Sequence, residues 1–319
     1  MRKVITFVAL SAGLTSAALA QADTTPPWMW STERVKQTIG MVRAGKSLAP
    51  KQWPGGARVA VLLSFDVDNE TVFLAPVAPG RPNIGGLSQG EYGARVGLKR
   101  VLALLEKQKI PASFFMPAMS LELHPEIIPM IKAAGHHEFG VHGWIHELNS
   151  TLPAAAERDL VRRAMEYFEK ATGARPVGYR APSWNFSPST LSIIRELGLI
   201  YDSSLMSDDS PYELMADGQP TGIVELPVEW INDDAPLLNP RGDRYGAPDQ
   251  LLKVWMDEFD KAYEEGTNFV LTMHPHIIGH RSRIVLLERL IAHMKSKPGV
   301  WFGTHRAAVE YVKAQARMM

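Results

Sequence analysis

Asp66 and Asp68 stand two positions apart at the end of the stretch VAVLLSFDVDNE, Val59 to Glu70. In extended chain that spacing puts both carboxylates on one face. A cation beside or between them would relieve their mutual repulsion. The bland alternative is a pair of loop acids, one of them capping a turn. His142 and His146, in HGWIHE, are four apart. That places two imidazoles on one face of a helical turn and suits a shared metal, although two solvated loop histidines would show the same spacing. Two His and one Asp make the three-ligand set of a catalytic zinc site with a place left for water. Arg180, in YRAPSW, is held extended by the proline downstream and could pair with a carboxylate, or be an ordinary turn arginine. His274, in LTMHPH, could be a general acid or a core histidine satisfied by backbone. Glu229 and Trp230, in LPVEW, follow one more apolar run, where a tryptophan is more often core than pocket wall. The remaining histidines, His305 among them, read as surface or packing residues.

These groups need strands behind them. Val59–Leu63 is an apolar, β-branched run that reads as a buried strand. Further strands are predicted at 112–116, 138–142, 176–179, 199–202, 223–228, 268–273 and 300–302. Helices are predicted at 91–108, 125–134, 153–172, 188–197, 248–265, 282–295 and 305–316, several of them closed by glycine. This alternation predicts a parallel sheet with helical crossovers, either a barrel or an open doubly wound sheet. In both, the C-terminal ends of strands carry the chemistry. No GxGxxG follows the first strand, which disfavours a dinucleotide-binding sheet. Thr71–Gly90, rich in Pro and Gly, reads as a long functional loop. Residues 21–52 read as a leader, with one helix from Ser31 to about Arg43.

The chain of 319 residues is 45% hydrophobic and 21% charged, as a globular protein is. Its formal net charge of zero argues against a nucleic-acid partner. With no cysteine, neither disulfides nor thiolate zinc sites are possible, and a sizeable core must hold the chain. Arg2 and Lys3, the apolar Val4–Leu14 and the small-x-small Ala18-Leu19-Ala20 form the three parts of a secretory signal. Cleavage after Ala20 is expected, giving a periplasmic or secreted protein. No later segment could serve as a membrane anchor.

In chain order, the strand ends carry Asp/Asp, His/His, Arg, Glu-Trp and His. That order resembles the polysaccharide deacetylase family (the chitooligosaccharide deacetylase homology domain), from Arg58 to about Val312. SFDVD resembles its T-F-D-D motif, HGWIH its H-[ST]-x-x-H, RAPSW its R-x-P, and LTMHP its L-x-x-H. Val67 between the aspartates and Gly143 for Ser or Thr are similar to a branch that holds peptidoglycan-deacetylase-like proteins, allantoinases and cyclic imidases. The resemblance implies a distorted (β/α)7–8 barrel over 58–319, behind a signal peptide at 1–20 and a leader at 21–57, often in a homo-oligomer. It implies Asp68, His142 and His146 as ligands of a divalent metal, zinc by expectation. It implies Asp66 as base, oriented by Arg180, and His274 as acid, with Trp230, Pro182 and Trp184 at the substrate. A backbone N–H near Met116 would help bind the oxyanion. Glu229 replaces the family's Asp, so Asp233 or Asp234 could supply that carboxylate. The implied reaction removes N-acetyl groups from an amino-sugar polymer. The rivals are ring opening of a small cyclic imide or ureide, which the presence of His146 and a signal peptide disfavours, and a catalytically silent saccharide binder.

Overall fold

A computed structural model describes residues 25–74, 81–238 and 246–318. The expected signal peptide lies outside the described residues, as do 75–80 of the predicted long loop. The chain divides into a small unit up to Ile39 and a large one from Gly40 onward. In the small unit the Ser31 hydroxyl accepts the Arg34 N–H at 3.1 Å and starts the helix Thr32–Gly40, and the Arg34 guanidinium covers Trp30.

The large unit is built on ten strands: β1 Arg43–Ser47, β2 Val59–Asp66, β3 Ser113–Met116, β4 Glu138–Val141, β5 Gly178–Tyr179, β6 Tyr201–Asp202, β7 Tyr212–Ala216, β8 Gln219–Glu225, β9 Asn268–Met273 and β10 Val300–Phe302. Strands β2 to β6, β8, β9 and β10 pair in parallel. Every residue of β2 and β9 is buried, which is why both appear in the sequence as uninterrupted apolar runs. β9 lies against β2 over its whole length, and a parallel bridge from Asp233 to Thr272 joins the segment after β8 to β9. That bridge closes the ring into a distorted barrel. Helices cover its outside, each turning its apolar stripe inward. Leu98–Gln108 buries Leu98, Val101, Leu102, Leu104 and Leu105, and Pro248–Glu265 buries Leu251, Leu252, Trp255 and Phe259.

Besides elements that the sequence did not predict, such as Ala118–Leu123, Tyr212–Ala216 and Asp234–Leu238, three regions depart from the expectation. The leader is not confined to one helix: its residues 43–47 are β1, an edge strand antiparallel to β7. Trp53 is buried, stacks on Trp301 at 6.0 Å and donates Nε1–H to the Thr267 carbonyl at 2.8 Å. The expected loop 71–90 becomes helical before its end, because the Asn83 side chain caps a helix over Ile84–Tyr92. Gly93–Gly97 then forms a π turn before the predicted helix continues. A side chain at Gly97 would strike the Pro275 carbonyl, so this glycine lets the helix close on the short helix Pro275–Ile278 that follows His274.

Candidate active site

Asp66 ends β2, His142 follows β4, Arg180 follows β5 and His274 follows β9, so all open on the C-terminal mouth of the barrel. There, Asp66, Asp68, Val72, His142, His146, Ser183, Trp184, Trp230, Asp233 and His274 are among the residues lining a cavity of about 160 Å³. The two aspartates share a face, as their spacing requires.

Asp68 is completely buried, and neither of its carboxylate oxygens receives a hydrogen bond. An ionised carboxylate without donors in a dry site is costly. What faces it are imidazole nitrogens: His142 Nε2 at 3.6 Å, His146 Nε2 at 3.8 Å and His274 Nε2 at 3.7 Å. Burial drives both His142 and His146 down to about 4, so each presents a neutral ring near pH 7. The His142 tautomer follows from its partner. The Arg180 carbonyl, 2.8 Å from Nδ1, can only accept, so Nδ1 carries the proton and Nε2 offers its lone pair. One ligand atom each from Asp68, His142 and His146 lies within 4.8 Å of the others. A bare carboxylate and neutral imidazoles make an oxygen and nitrogen donor set that fits a divalent metal of the zinc type.

The two histidines do not share a helical turn. Gly143 and His146 have φ of 73° and 64°, in the left-handed region. The turn is held by the Glu147 carboxylate, which accepts the Trp144 N–H at 2.9 Å and the Ile145 N–H at 2.8 Å. A Cβ on Gly143 would come within 2.9 Å of that carboxylate and of the Pro182 ring. Glycine in place of the family's Ser or Thr is therefore a local requirement of this turn.

Arg180 is fully buried, and all its donors are used. Nε–H goes to the Ser203 carbonyl at 3.0 Å, Nη1 to Asp66 at 2.6 Å and Ser64 Oγ at 2.9 Å, and Nη2 to Ser203 Oγ at 3.0 Å and His305 Nε2 at 3.4 Å. Burial alone would raise the Asp66 carboxyl, but Arg180, with His142 and His274, outweighs it and holds Asp66 below the usual carboxylate value. Asp66 is thus kept ionised, 3.7 Å from His142.

His274 is clamped by one carboxylate from two sides. Asp234 Oδ1 accepts its Nδ1–H at 2.6 Å, and Oδ2 accepts its backbone N–H at 3.0 Å. Burial would lower the His274 pKa, yet Asp234 and Asp233 raise it well above the ordinary histidine value. Asp234 is the orienting carboxylate, while Glu229 is exposed and does not line the cavity. Trp184 and Trp230 meet at 4.2 Å on the cavity wall, with Trp184 held at a positive φ of 51°. Pro182 is not among the lining residues. The expected oxyanion donor after Met116 is already engaged, since the Ala118 and Met119 N–H groups bond the Gly143 and Trp144 carbonyls. Sequence reasoning missed Ser64, Ser203 and His305. Their only signal was the position of Ser64 and Ser203 beside strand ends.

A family model described as polysaccharide deacetylase matches residues 91–201. The peptidoglycan deacetylase of Helicobacter pylori is 30% identical over 289 residues, which is 81% of this chain and 98% of that protein. Among solved structures, a candidate polysaccharide deacetylase of Mycobacterium smegmatis is similar with a TM-score of 0.78 and 34% identity, covering 86% of this chain and 96% of that one. Puue allantoinase is similar with a TM-score of 0.74 and 27% identity, covering 83% and 94%.

Proposed function

Because the chain belongs to the polysaccharide deacetylase family, hydrolases of carbon–nitrogen bonds, we propose that it removes N-acetyl groups from an envelope amino-sugar polymer of peptidoglycan or chitin type. The observation that carries this reading is the buried Asp68 carboxylate, bare of hydrogen bonds and faced by two neutral imidazoles. Asp68, His142 and His146 would hold the divalent metal, zinc by its donor set. When bound, such an ion polarises a carbonyl oxygen and lowers the pKa of a bound water towards ~7.

The chain's own groups account for the proton traffic. Asp66, kept ionised by Arg180, takes the proton of the water whose oxygen bonds to the acetamide carbon. His274, charged and aimed by Asp234, gives its proton to the amide nitrogen as the C–N bond breaks. Acetic acid, which ionises in solvent, and a free amine leave, and a proton passed from Asp66 to His274 resets the pair. Trp184 and Trp230 offer an apolar wall for the acetyl methyl group. The charged, apolar and small-residue order of residues 2–20 supports export to where such polymers lie.

A second reading, ring opening of a cyclic imide or ureide, is favoured by the likeness to Puue allantoinase and by the small cavity of about 160 Å³. One assay separates the two: acetate release from N-acetylglucosamine oligomers and peptidoglycan, beside hydrolysis of hydantoin, succinimide and allantoin. The proposal expects turnover on the acetylated sugars. Turnover confined to the cyclic amides would overturn it in favour of the second reading.

A further inference from the structure

His305 opens the last helix, His305–Gln315, and is completely buried inside the barrel. It touches no part of the cavity, yet it contacts the guanidinium that holds Asp66. The direction of each hydrogen bond around it follows from its partners. Arginine has donors only, so His305 Nε2 must accept from Arg180 Nη2 at 3.4 Å. The ring proton then sits on Nδ1, which donates to Ser113 Oγ at 3.1 Å, beside the His305 backbone N–H donating to the same oxygen at 2.8 Å. With its acceptor sites taken, the Ser113 hydroxyl donates to Glu138 Oε2 at 2.7 Å. That carboxylate also accepts the Tyr201 hydroxyl at 2.6 Å and the Arg306 N–H at 2.8 Å. The polar chain therefore runs from Asp66 through Arg180, His305 and Ser113 to Glu138 at the start of β4, all within the buried interior.

Resting on the deacetylase reading above, we propose that His305 is a positioning residue for the reaction: as a neutral Nδ1–H tautomer it completes the set of acceptors that fixes Arg180, and so fixes Asp66 at the attacking water. Three features make it a support for Arg180 and not only packing. It takes the second Nη2 hydrogen, which would otherwise be an unpartnered charged donor in a dry interior. Phe115 lies beneath the guanidinium at 4.1 Å and edge-on to the His305 ring at 5.3 Å, so ring and guanidinium share one wall. Burial, and then the Arg180 charge, push the His305 pKa well below its usual value, so the ring stays an acceptor.

The test has two arms. Long-range proton–nitrogen NMR correlation on the wild-type chain reads the tautomer without any assay of activity. A single Nδ1–H form is expected, and an Nε2–H form or an imidazolium at pH 7 overturns the proposal. The second arm compares His305→Leu with His305→Gln, whose amide oxygen restores an acceptor. His305→Leu should keep its metal content and KM within about twofold while kcat falls about tenfold or more, and His305→Gln should recover most of that loss. Equal kcat in the wild type and the Leu variant overturns the proposal, as does a Gln variant no better than Leu. If the wild type deacetylates nothing, the function reading fails while the tautomer arm still decides whether His305 supports Arg180.

Discussion

Replacing Arg180 with methionine removes the guanidinium that is ion-paired with the buried Asp66. The two side chains are 0% and 3% exposed and 2.6 Å apart. Deleting one partner of a buried ion pair costs about 3–5 kcal/mol, because the other charge is left uncompensated. At about 2–4 °C per kcal/mol, the melting temperature should fall by roughly 6–20 °C. The loss must also depend on pH, and its sign can be worked out. In the wild type the Asp66 pKa is depressed. Its contribution to stability is therefore present above the unfolded carboxylate value, ~3.9, and is lost as pH falls through the lower folded value. Without Arg180, the raising effect of burial meets less opposition, and the Asp66 carboxyl moves upward. The variant can then shed the buried charge by taking a proton, so its deficit should be larger at pH 8 than at pH 5. Urea unfolding of both chains at the two pH values measures this, and deacetylation should drop more than about a thousandfold as the base is displaced or protonated. A deficit under about 1 kcal/mol with turnover intact would refute the reasoning about the pair. A deficit equal at both pH values would refute the reasoning about the proton.

Three further outcomes follow from single sites. Burial pushes Asp202 up to about 6, and burial together with the adjacent Asp202 raises Glu225 well above the usual carboxylate value. A raised carboxyl stabilises the fold below its unfolded value of ~3.9 and loses that contribution as pH rises through about 6. Asp202→Asn should therefore flatten the fall in unfolding free energy between pH 4 and pH 7, an effect of roughly 3 kcal/mol at most in urea titrations. Gly143→Ser should cost about 1–3 kcal/mol and weaken metal retention, because φ is 73° and the new Cβ meets Glu147 and Pro182; unchanged stability and metal content would contradict the turn's role. Asp234→Asn should lower kcat by about tenfold or more with metal content unchanged, since His274 would lose the charge that keeps it protonated.

The barrel was legible in the sequence where a strand is buried on both faces, as in β2 and β9, because nothing polar interrupts such a run. β1 was not, because RAGKS is an exposed edge whose residues are set by pairing with β7. The helix Ile84–Tyr92 was hidden by its glycines, which propensity counts against a helix. Gly90 is needed because the Asn69 backbone packs against it, a tertiary demand that outweighs propensity. At the site, the paired acids and histidines announced themselves by type and spacing. The turn between His142 and His146 did not, since a spacing of four cannot show that Gly143 and His146 have positive φ. His305 was invisible for a different reason. Its partners Arg180 and Ser113 are 125 and 192 residues away along the chain, and only the folded barrel brings them to it.

The proposed chemistry requires Asp68, His142 and His146 to enclose one divalent ion. Metal analysis of the purified wild-type chain beside Asp68→Asn and His146→Ala tests that most directly. About one ion per chain is expected in the wild type, with little or none in either variant while both remain folded. A folded wild type that binds no divalent ion when supplied with zinc, or variants that keep their full complement, would contradict it.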